Sequence, residues 1–267
     1  MVFKPEVPKN NIESYDIEKL KSLEREISSR LVEAGIPVDD ECRVFMDSFR
    51  EIYPQEEINR DKGEVARLEN LWYKDKNPDE IKEERLKRDG EQFEVLKTVI
   101  FNKFLGEDFI VVRSSPYDDY KNQVDNLFLD KKTGNLVCAF DEVTSLSGKE
   151  FEDKKEKVAR RNRSKTPTNL KYGLMIKDGA VFGGASQHFP IFYLAIRPEV
   201  LKEGIKRAGA SLEEKTDYEK KLFTFLVDQI DLQIKDLELS PIYDKELLSS
   251  LRFFKGVLGE IKKDWGS

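Results

Sequence analysis

The sequence predicts an α/β protein in which a mixed β-sheet of about four to six strands is flanked by helices at both ends of the chain. Apolar residues recur every three or four positions in the N-terminal part, short continuous apolar runs bounded by turn residues follow, and helical spacing returns near the C-terminus. The middle of the chain has the order α-β-β-β-α-β. We therefore expect a helical region over 1–90, an α/β core over 91–200, and C-terminal helices over 201–267 that pack on the core.

The N-terminal helices are predicted from apolar stripes and breaker residues. A first helix ends at Gly35-Ile36-Pro37, a second begins at Asp39 or Asp40 and stops at Pro54, and a third is broken by Asn77-Pro78-Asp79. The charged stretch 79–88 is expected to be a solvated helix. The stripes are, in order, Leu20, Leu23, Ile27 and Leu31; Phe45, Phe49 and Ile52; and Val65, Leu68, Leu71 and Trp72.

The core begins with a helix whose apolar face is Phe93, Leu96, Ile100 and Phe104. Three strands follow, and a charged helix then runs from Gly148 to about Arg163. The strands are expected over 109–112, 124–130 and 136–143, a small hairpin over 171–182 with its turn at 177–179, and a last strand over 189–196. In the C-terminal part, Ser211 with Glu214 fits a capping box, and Asp244 begins a final helix.

Composition excludes several kinds of site. The chain has one histidine, His188, and two cysteines, Cys42 and Cys138, so a Cys/His zinc site, which needs about four such ligands, is ruled out. There is no Gly-x-Ser-x-Gly elbow and no Gly-x-x-x-x-Gly-Lys phosphate loop. Carboxylates, lysines and arginines remain for chemistry, which suits an oxygen-liganded cation such as Mg²⁺ or Mn²⁺.

The sequence also predicts where the protein works. No apolar run approaches the ~18–20 residues that span a bilayer, and the N-terminus carries no apolar signal region. We expect a cytoplasmic protein without a membrane partner. The net charge is −6, so any contact with nucleic acid must come from a local basic surface.

The strongest functional signal is a set of acidic residues on two adjacent predicted strands, Asp125 on one and Asp141-Glu142 on the next. Residues two apart share a strand face, so Asp141 lies with Ala139 and Val143 while Glu142 points the other way. A hairpin of these strands brings Asp125 and Asp141 together. Because neighbouring carboxylates repel unless a proton or a cation lies between them, we expect a divalent metal.

With these motifs, residues 91–197 resemble the core of the PD-(D/E)XK nuclease superfamily. Val124-Asp125-Asn126 matches the acid that begins its second strand, and Asp141-Glu142-Val143 matches the acid-x-lysine of its third. The resemblance implies that Asp125 and Asp141 bind the metal, with the Glu142 main-chain carbonyl as a further ligand. It also implies a catalytic acid on the preceding helix, where Glu94 (or Glu91) stands.

The sequence departs from the superfamily at the lysine that usually positions or activates the attacking water. Val143 stands in its place, and shifting the register to Glu142-Val143-Thr144 does not recover it. A lysine from elsewhere must then complete the site. The candidates are Lys121, Lys149, Lys154 and Lys155, of which Lys154 is taken as the catalytic candidate.

A basic stretch after the third strand suggests contact with phosphates. Its members are Lys154, Lys155, Lys157, Arg160, Arg161, Arg163, Lys165 and Lys171. We predict that Lys155, Arg160, Arg161 and Arg163, together with Arg113 at the end of the first strand, bind nucleic acid.

Other interpretations stay open. Asp125 and Asp141 could end strands near solvent, Glu94 could face solvent, and the basic stretch could be a solvated helix face. Asp118-Asp119 suits turn chemistry, and His188 suits a structural role. The leading hypothesis is a metal-dependent nuclease acting on DNA or RNA. The alternatives are a catalytically inactive nucleic-acid-binding module and a protein-interaction scaffold, and an exposed C-terminal stripe could form a homodimer.

Overall fold

A mixed four-stranded sheet with the order β1-β2-β3-β6 forms the centre of the protein. A computed structural model describes residues 14–74, 76–164, 168–177, 180–239 and 244–265. The strands of this sheet are β1 (Phe109–Arg113), β2 (Asn126–Asp130), β3 (Leu136–Val143) and β6 (Ile191–Ala195). β1 to β3 are antiparallel neighbours, and β6 runs parallel to β3. The prediction of an α/β protein with a mixed sheet is confirmed.

Between β3 and β6 the chain forms a helix and a separate hairpin. The helix is α5 (Lys149–Arg163), and the hairpin pairs β4 (Leu170–Lys177) with β5 (Ala180–Ser186). Both were predicted, although Asp178 and Gly179 of the predicted turn, and Lys165 of the basic stretch, lie outside the described residues. The hairpin is a two-stranded sheet of its own and does not extend the central sheet.

The N-terminal part contains α1 (Ser14–Glu33), α2 (Gln55–Trp72) and α3 (Pro78–Leu86), followed by α4 (Asp89–Leu105) of the core. The helix predicted after Asp39 is wrong: only a short 3-10 helix, Met46–Phe49, forms there. The preceding segment instead makes isolated β-bridges, Val38 to Val44 and Arg43 to Arg113. Docking to the β1 edge overrides the helical spacing, because that edge supplies backbone partners that a helix would not use.

The C-terminal part contains α6 (Pro198–Arg207), α7 (Asp217–Glu238) and α8 (Lys245–Trp265). Helix α6 was not predicted. The predicted capping box is also misplaced: Thr216 with Glu219 caps α7, since each side chain pairs with the other's backbone N–H. Asp244 caps α8 as predicted and also accepts a contact from Nδ1 of His188 at 2.6 Å, which fits a structural role for that histidine.

One hydrophobic core draws residues from all three predicted regions. The apolar stripes of α7 and α8 are buried in this core, where they pack against other parts of the same chain. The homodimer through a C-terminal stripe stays a prediction. Buried members of the stripes are Leu222, Leu226, Ile230, Ile234, Leu251, Phe254, Leu258 and Ile261. Among the described residues, no helix combines the length and apolar character needed to cross a membrane.

Three side-chain amides cover the open edge of β6. Gln233 accepts from the Tyr193 N–H at 3.0 Å and donates to its carbonyl at 2.8 Å. Gln229 pairs in the same way with Ala195, and Asn162 with Ile191. Each amide therefore supplies the donor and acceptor that a neighbouring strand residue would supply. The three amides close the edge against pairing with another chain.

We expect Gln233→Leu to lower the free energy of unfolding by about 1–3 kcal/mol, because both backbone groups of Tyr193 lose their partners. Urea denaturation measures the change. Gln55→Leu is the matched control, since Gln55 is exposed and its side chain bonds the side chains of Asn59 and Asp47 and no strand backbone. Equal effects of the two substitutions would contradict the edge-covering role.

Candidate metal centre

Three carboxylates from three parts of the fold converge at one end of the central sheet. Glu94 lies on α4, Asp125 directly precedes β2, and Glu142 is near the end of β3. One oxygen from each lies within 4.8 Å of the others, a spacing that a single cation could bridge. The sequence predicted Asp125 and Glu94 for this place, but it assigned the third carboxylate to Asp141 and gave Glu142 only a main-chain role.

Local hydrogen bonds fix these carboxylates in position. Asn126, next to Asp125, donates to the Thr98 hydroxyl at 2.9 Å, and that hydroxyl donates to the Glu94 carbonyl at 2.8 Å. The start of β2 is thereby attached to α4. Upstream, a π-helical turn (Asp118–Asn122) ends at Gln123, whose φ of 54° is rare for a residue with a side chain. This turn directs the chain into the site.

Each carboxylate is anchored through one oxygen only. Oε2 of Glu94 accepts from Nε of Arg113 at 3.1 Å, from Nη2 of Arg113 at 2.5 Å and from Nη2 of Arg43 at 3.3 Å. Oδ2 of Asp125 accepts from the Glu142 N–H at 2.7 Å, and Oε1 of Glu142 contacts the Lys97 ammonium. Within the described residues, Oε1 of Glu94 and Oδ1 of Asp125 accept no hydrogen bond, and the buried Oε2 of Glu142 has no partner. Three oxygens thus remain for a ligand.

Asp125 is in an environment that disfavours its ionised form. Burial, then the charges of Asp141, Glu94 and Asp119, raise the pKa of Asp125 well above its usual range. No ion pair to Asp125 forms among the described residues, in contrast to Glu94 and Asp141. A divalent cation is the partner that would relieve this stress, because it offsets both the desolvation and the neighbouring charges.

Lys97 is the functional candidate that the sequence analysis missed. It lies on α4, its side chain is 0% exposed, and its ammonium contacts Glu142. Burial lowers the pKa of Lys97 to about 7, although Asp125 and Glu94 act in the opposite direction. The only sequence signal was its position three residues after Glu94, one helical turn along the same face. The acid-x-lysine pattern directs attention to β3 and away from this helix.

Asp141 has a different environment from the three carboxylates. Its oxygens contact the ammonium groups of Lys154 and Lys157, the latter at 3.2 Å. Burial lowers the pKa of Lys154, but the charges of Asp141 and Asp125 outweigh burial, so the pKa of this lysine is raised. The pKa of Lys157 is lowered by burial and by Lys154, despite Asp141. Asp141 therefore already has two cationic partners.

Lys154 is thus placed beside the site, as predicted, with its ammonium on Asp141. The other lysine candidates lie elsewhere: Lys121 pairs with Glu64 on α2 at 2.9 Å, and Lys149 and Lys155 face solvent on α5. Of the basic residues on α5, the ones that face the site are Lys154, Lys157 and Arg161, spaced by three and four positions. We call these three residues the site-facing basic stripe.

The predicted nucleic-acid contacts divide into three groups. Lys155, Arg160 and Arg163 are exposed on the outer part of α5. Arg161 donates from Nη1 to the Gln123 carbonyl at 3.0 Å and contacts the Asn122 carbonyl, which holds the π-helical turn in front of Asp125. Arg113 is wrong as a nucleic-acid contact, because its side chain is 0% exposed and is enclosed by carboxylates.

Arg113 instead forms the centre of a buried ion cluster. It contacts Glu24 at 3.3 Å, Glu91 at 2.6 Å and Glu94 at 2.5 Å. Arg43 joins the cluster through Glu94 and, at 2.9 Å, through Asp119. Glu94 therefore faces the protein interior, which contradicts the solvent-facing interpretation. Asp118 supports the turn interpretation, since its N–H donates to the Ser115 hydroxyl and its carboxylate accepts from Ser115 and Asn122 nearby in the chain.

No family model matches the chain, and neither the curated proteins nor the solved structures include a significant match. The assignment of function therefore depends on the site itself. Glu94, Asp125 and Glu142 fit a hard divalent ion, because they offer oxygen ligands only and the buried Oε2 of Glu142 has no protein partner.

Proposed function

We propose that this protein is a divalent-metal-dependent nuclease that hydrolyses phosphodiester bonds in DNA or RNA. The observation that carries the proposal is the convergence of Glu94, Asp125 and Glu142 around one point, next to a buried lysine and a basic helix face. Further support comes from the order in which α4, β1, β2, β3, α5 and β6 occur, which is compatible with the α-β-β-β-α-β order of the PD-(D/E)XK resemblance, with the β4-β5 hairpin inserted before β6 and with Glu142 in the cluster where the resemblance implied Asp141.

The residues around this point have separable tasks. Glu94, Asp125 and Glu142 would hold Mg²⁺ or Mn²⁺ through their available oxygens. When bound, such an ion lowers the pKa of its water and offsets charge on the phosphate. The site-facing basic stripe would bind the phosphate through Lys154 and Lys157, which contact Asp141, and Arg161, which contacts the turn before Asp125.

Lys97 would take the role of the lysine that the superfamily has at the position where this chain has Val143. Burial lowers the pKa of Lys97, so its ammonium loses a proton more readily than that of an exposed lysine. The neutral amine can accept a proton from an attacking water, and the ammonium can stabilise charge on the phosphate. Its burial among Phe140, Asp125 and Glu142 keeps bulk water away from this proton exchange.

The direct test compares Glu94→Gln with Glu91→Gln. Both substitutions remove a carboxylate that pairs with Arg113, but only Glu94 belongs to the three-carboxylate centre. We expect Mn²⁺-dependent cleavage of single- and double-stranded DNA and RNA oligonucleotides by the wild type and Glu91→Gln, and none by Glu94→Gln. Absence of cleavage by the wild type on every substrate, or equal cleavage by both variants, would defeat the enzymatic proposal.

Lys97→Met is expected to lower the cleavage rate by about 100-fold or more while Mn²⁺ binding persists. The reason is that methionine fills the same space but can neither exchange a proton nor stabilise charge. Lys103→Met is the control, since Lys103 is equally buried on the same helix and pairs with Glu219 at 2.8 Å. Single-turnover cleavage and Mn²⁺ titration give the two readouts. A similar loss of rate in Lys97→Met and Lys103→Met would show that Lys97 contributes to the stability of the fold and not to catalysis.

One observation favours a second function, an inactive module that binds nucleic acid. Lys154 and Lys157 already neutralise Asp141, so this carboxylate needs no metal. In that case oligonucleotides bind without metal and with steep salt dependence. Neutralising Arg160, Arg161 and Arg163 together then weakens binding, and unchanged binding in that variant would count against the module.

A further inference from the structure

An exposed tryptophan packs against the π-helical turn that precedes the candidate metal centre. The side chain of Trp72, at the end of α2, is 54% exposed. Its ring packs edge-on against Tyr120, with ring centroids 5.1 Å apart and planes at 83°. Tyr120 belongs to the π-helical turn and is fixed there, because its hydroxyl donates to Glu69 at 3.0 Å. The indole is therefore supported on one edge, while much of its surface remains open.

The same turn connects this ring to the site. The carbonyls of Asn122, the last residue of the turn, and of Gln123, which follows it, accept hydrogen bonds from the Arg161 guanidinium of the site-facing basic stripe. Asp119, the neighbour of Tyr120, pairs with Arg43, and its charge contributes to the raised pKa of Asp125. From Tyr120 to Asp125 the chain can span at most about 18 Å, since each residue extends it by at most ~3.6 Å.

The turn therefore joins an aromatic platform, Trp72 on Tyr120, to the site-facing basic stripe, whose Arg161 contacts the turn and whose two lysines contact Asp141. Single-stranded nucleic acid is recognised by this combination, because phosphates follow the cations while unpaired bases stack on aromatic rings. A paired base inside a duplex has both faces covered by its neighbours and gains nothing from the indole. The platform therefore distinguishes unpaired nucleotides from paired ones.

We propose that Trp72, supported by Tyr120, stacks on an unpaired base of the substrate, so that single-stranded nucleic acid or a single-stranded end is the preferred substrate class. This inference rests on the proposed nuclease function for its biological meaning. It makes a separate claim about binding, which is measured without metal and without cleavage.

The test uses the two tryptophans of the chain, Trp72 and Trp265. In a Trp265→Phe protein, Trp72 is the remaining tryptophan, and an oligothymidylate added in EDTA is expected to quench its fluorescence. In a Trp72→Phe protein, the remaining signal is expected to stay unchanged at saturation. Absence of quenching in the Trp265→Phe protein would overturn the proposal, as would failure of the wild type to bind the oligonucleotide.

The affinity measurement uses Leu71→Ala as the matched control, since Leu71 is the preceding residue and is 55% exposed. We expect Trp72→Ala to weaken oligothymidylate binding by roughly tenfold or more, the loss typical of one stacked base, and to leave blunt duplex binding unchanged. Equal losses in Trp72→Ala and Leu71→Ala, or equal losses for single strand and duplex, would overturn the inference. Metal-dependent cleavage lost in Glu94→Gln but insensitive to Trp72→Ala would leave the nuclease proposal standing and reject this one.

Discussion

Asp125→Asn is expected to stabilise the protein and, at the same time, to abolish its response to divalent metal. A carboxyl whose pKa is raised in the folded state stabilises the fold when it is protonated, and this contribution is lost as the pH rises. Ionisation of Asp125 in the folded protein is therefore unfavourable. The neutral amide removes the repulsion from Asp141 and Glu94, and we expect a gain of about 1 kcal/mol or more in the free energy of unfolding.

Thermal unfolding with and without Mn²⁺ measures both effects. The wild type should unfold at a higher temperature when Mn²⁺ is present, because an ion that binds the folded state alone stabilises it. Asp125→Asn should start about 2–4 °C higher and show no further rise with Mn²⁺. The stability difference should shrink as the pH falls and the wild-type carboxyl becomes protonated.

The control for this prediction is Asp153→Asn, which removes the same charge from an exposed position on α5. Its stability should change little, and its Mn²⁺ response should match that of the wild type. Destabilisation by Asp125→Asn, or a normal Mn²⁺ shift in that variant, would contradict the assignment of Asp125 as a functional ligand under electrostatic stress.

Arg113→Met is expected to lower the free energy of unfolding by about 3–5 kcal/mol, because it leaves the buried Glu24 without its ion-pair partner and removes one of the cations that pair with Glu91 and Glu94. Arg113 contacts Glu24, Glu91 and Glu94, and its side chain is fully buried. Even beside Arg113, burial raises the pKa of Glu24 to about 7. Without the guanidinium, Glu24 has no ion-pair partner among the described residues, and its protonation relieves the repulsion among the buried carboxylates.

The loss caused by Arg113→Met should therefore be largest at neutral to basic pH and smaller near pH 5. Urea denaturation at several pH values measures it. Arg30→Met is the control: Arg30 makes ion pairs of 2.6 Å with Glu26 and Glu213, but its side chain is 54% exposed. We expect that substitution to cost less than about 1 kcal/mol at any of these pH values. A small effect of Arg113→Met would refute the structural importance of the buried cluster.

Some residues of the candidate site have a local signal in the sequence, and others are recognised only from their contacts in the folded protein. Asp125 could be found from the sequence because it begins a strand predicted to lie beside the Asp141-Glu142 pair, which ends an apolar run where a charge needs a reason. Lys154 could be found because it starts a basic helix after β3. Lys97 could not, since a lysine on an apolar helix face has no local feature that distinguishes it from one that extends to solvent.

The third carboxylate shows the same limit. Strand alternation correctly placed Glu142 and Asp141 on opposite faces: Glu142 contacts Lys97 of α4, and Asp141 contacts Lys154 and Lys157 of α5. The choice between the two carboxylates depends on which helix packs on which face. Likewise, Arg113 looked like a phosphate contact, and only the packing of α1 and α4 beside β1 shows that its partners are Glu24, Glu91 and Glu94.

By itself, the sequence determined the fold class, most helices and strands, and the acidic character of the site, because hydrophobic period and turn residues act locally. Tertiary structure decided which carboxylates converge, which lysine joins them, and that Arg113 is buried, since these depend on contacts between residues far apart in the chain. It also replaced the expected second helix with bridges to the β1 edge. The pair of acids that first suggested a metal, Asp125 and Asp141, is thus resolved into Asp125 with Glu94 and Glu142, while Asp141 anchors the basic helix.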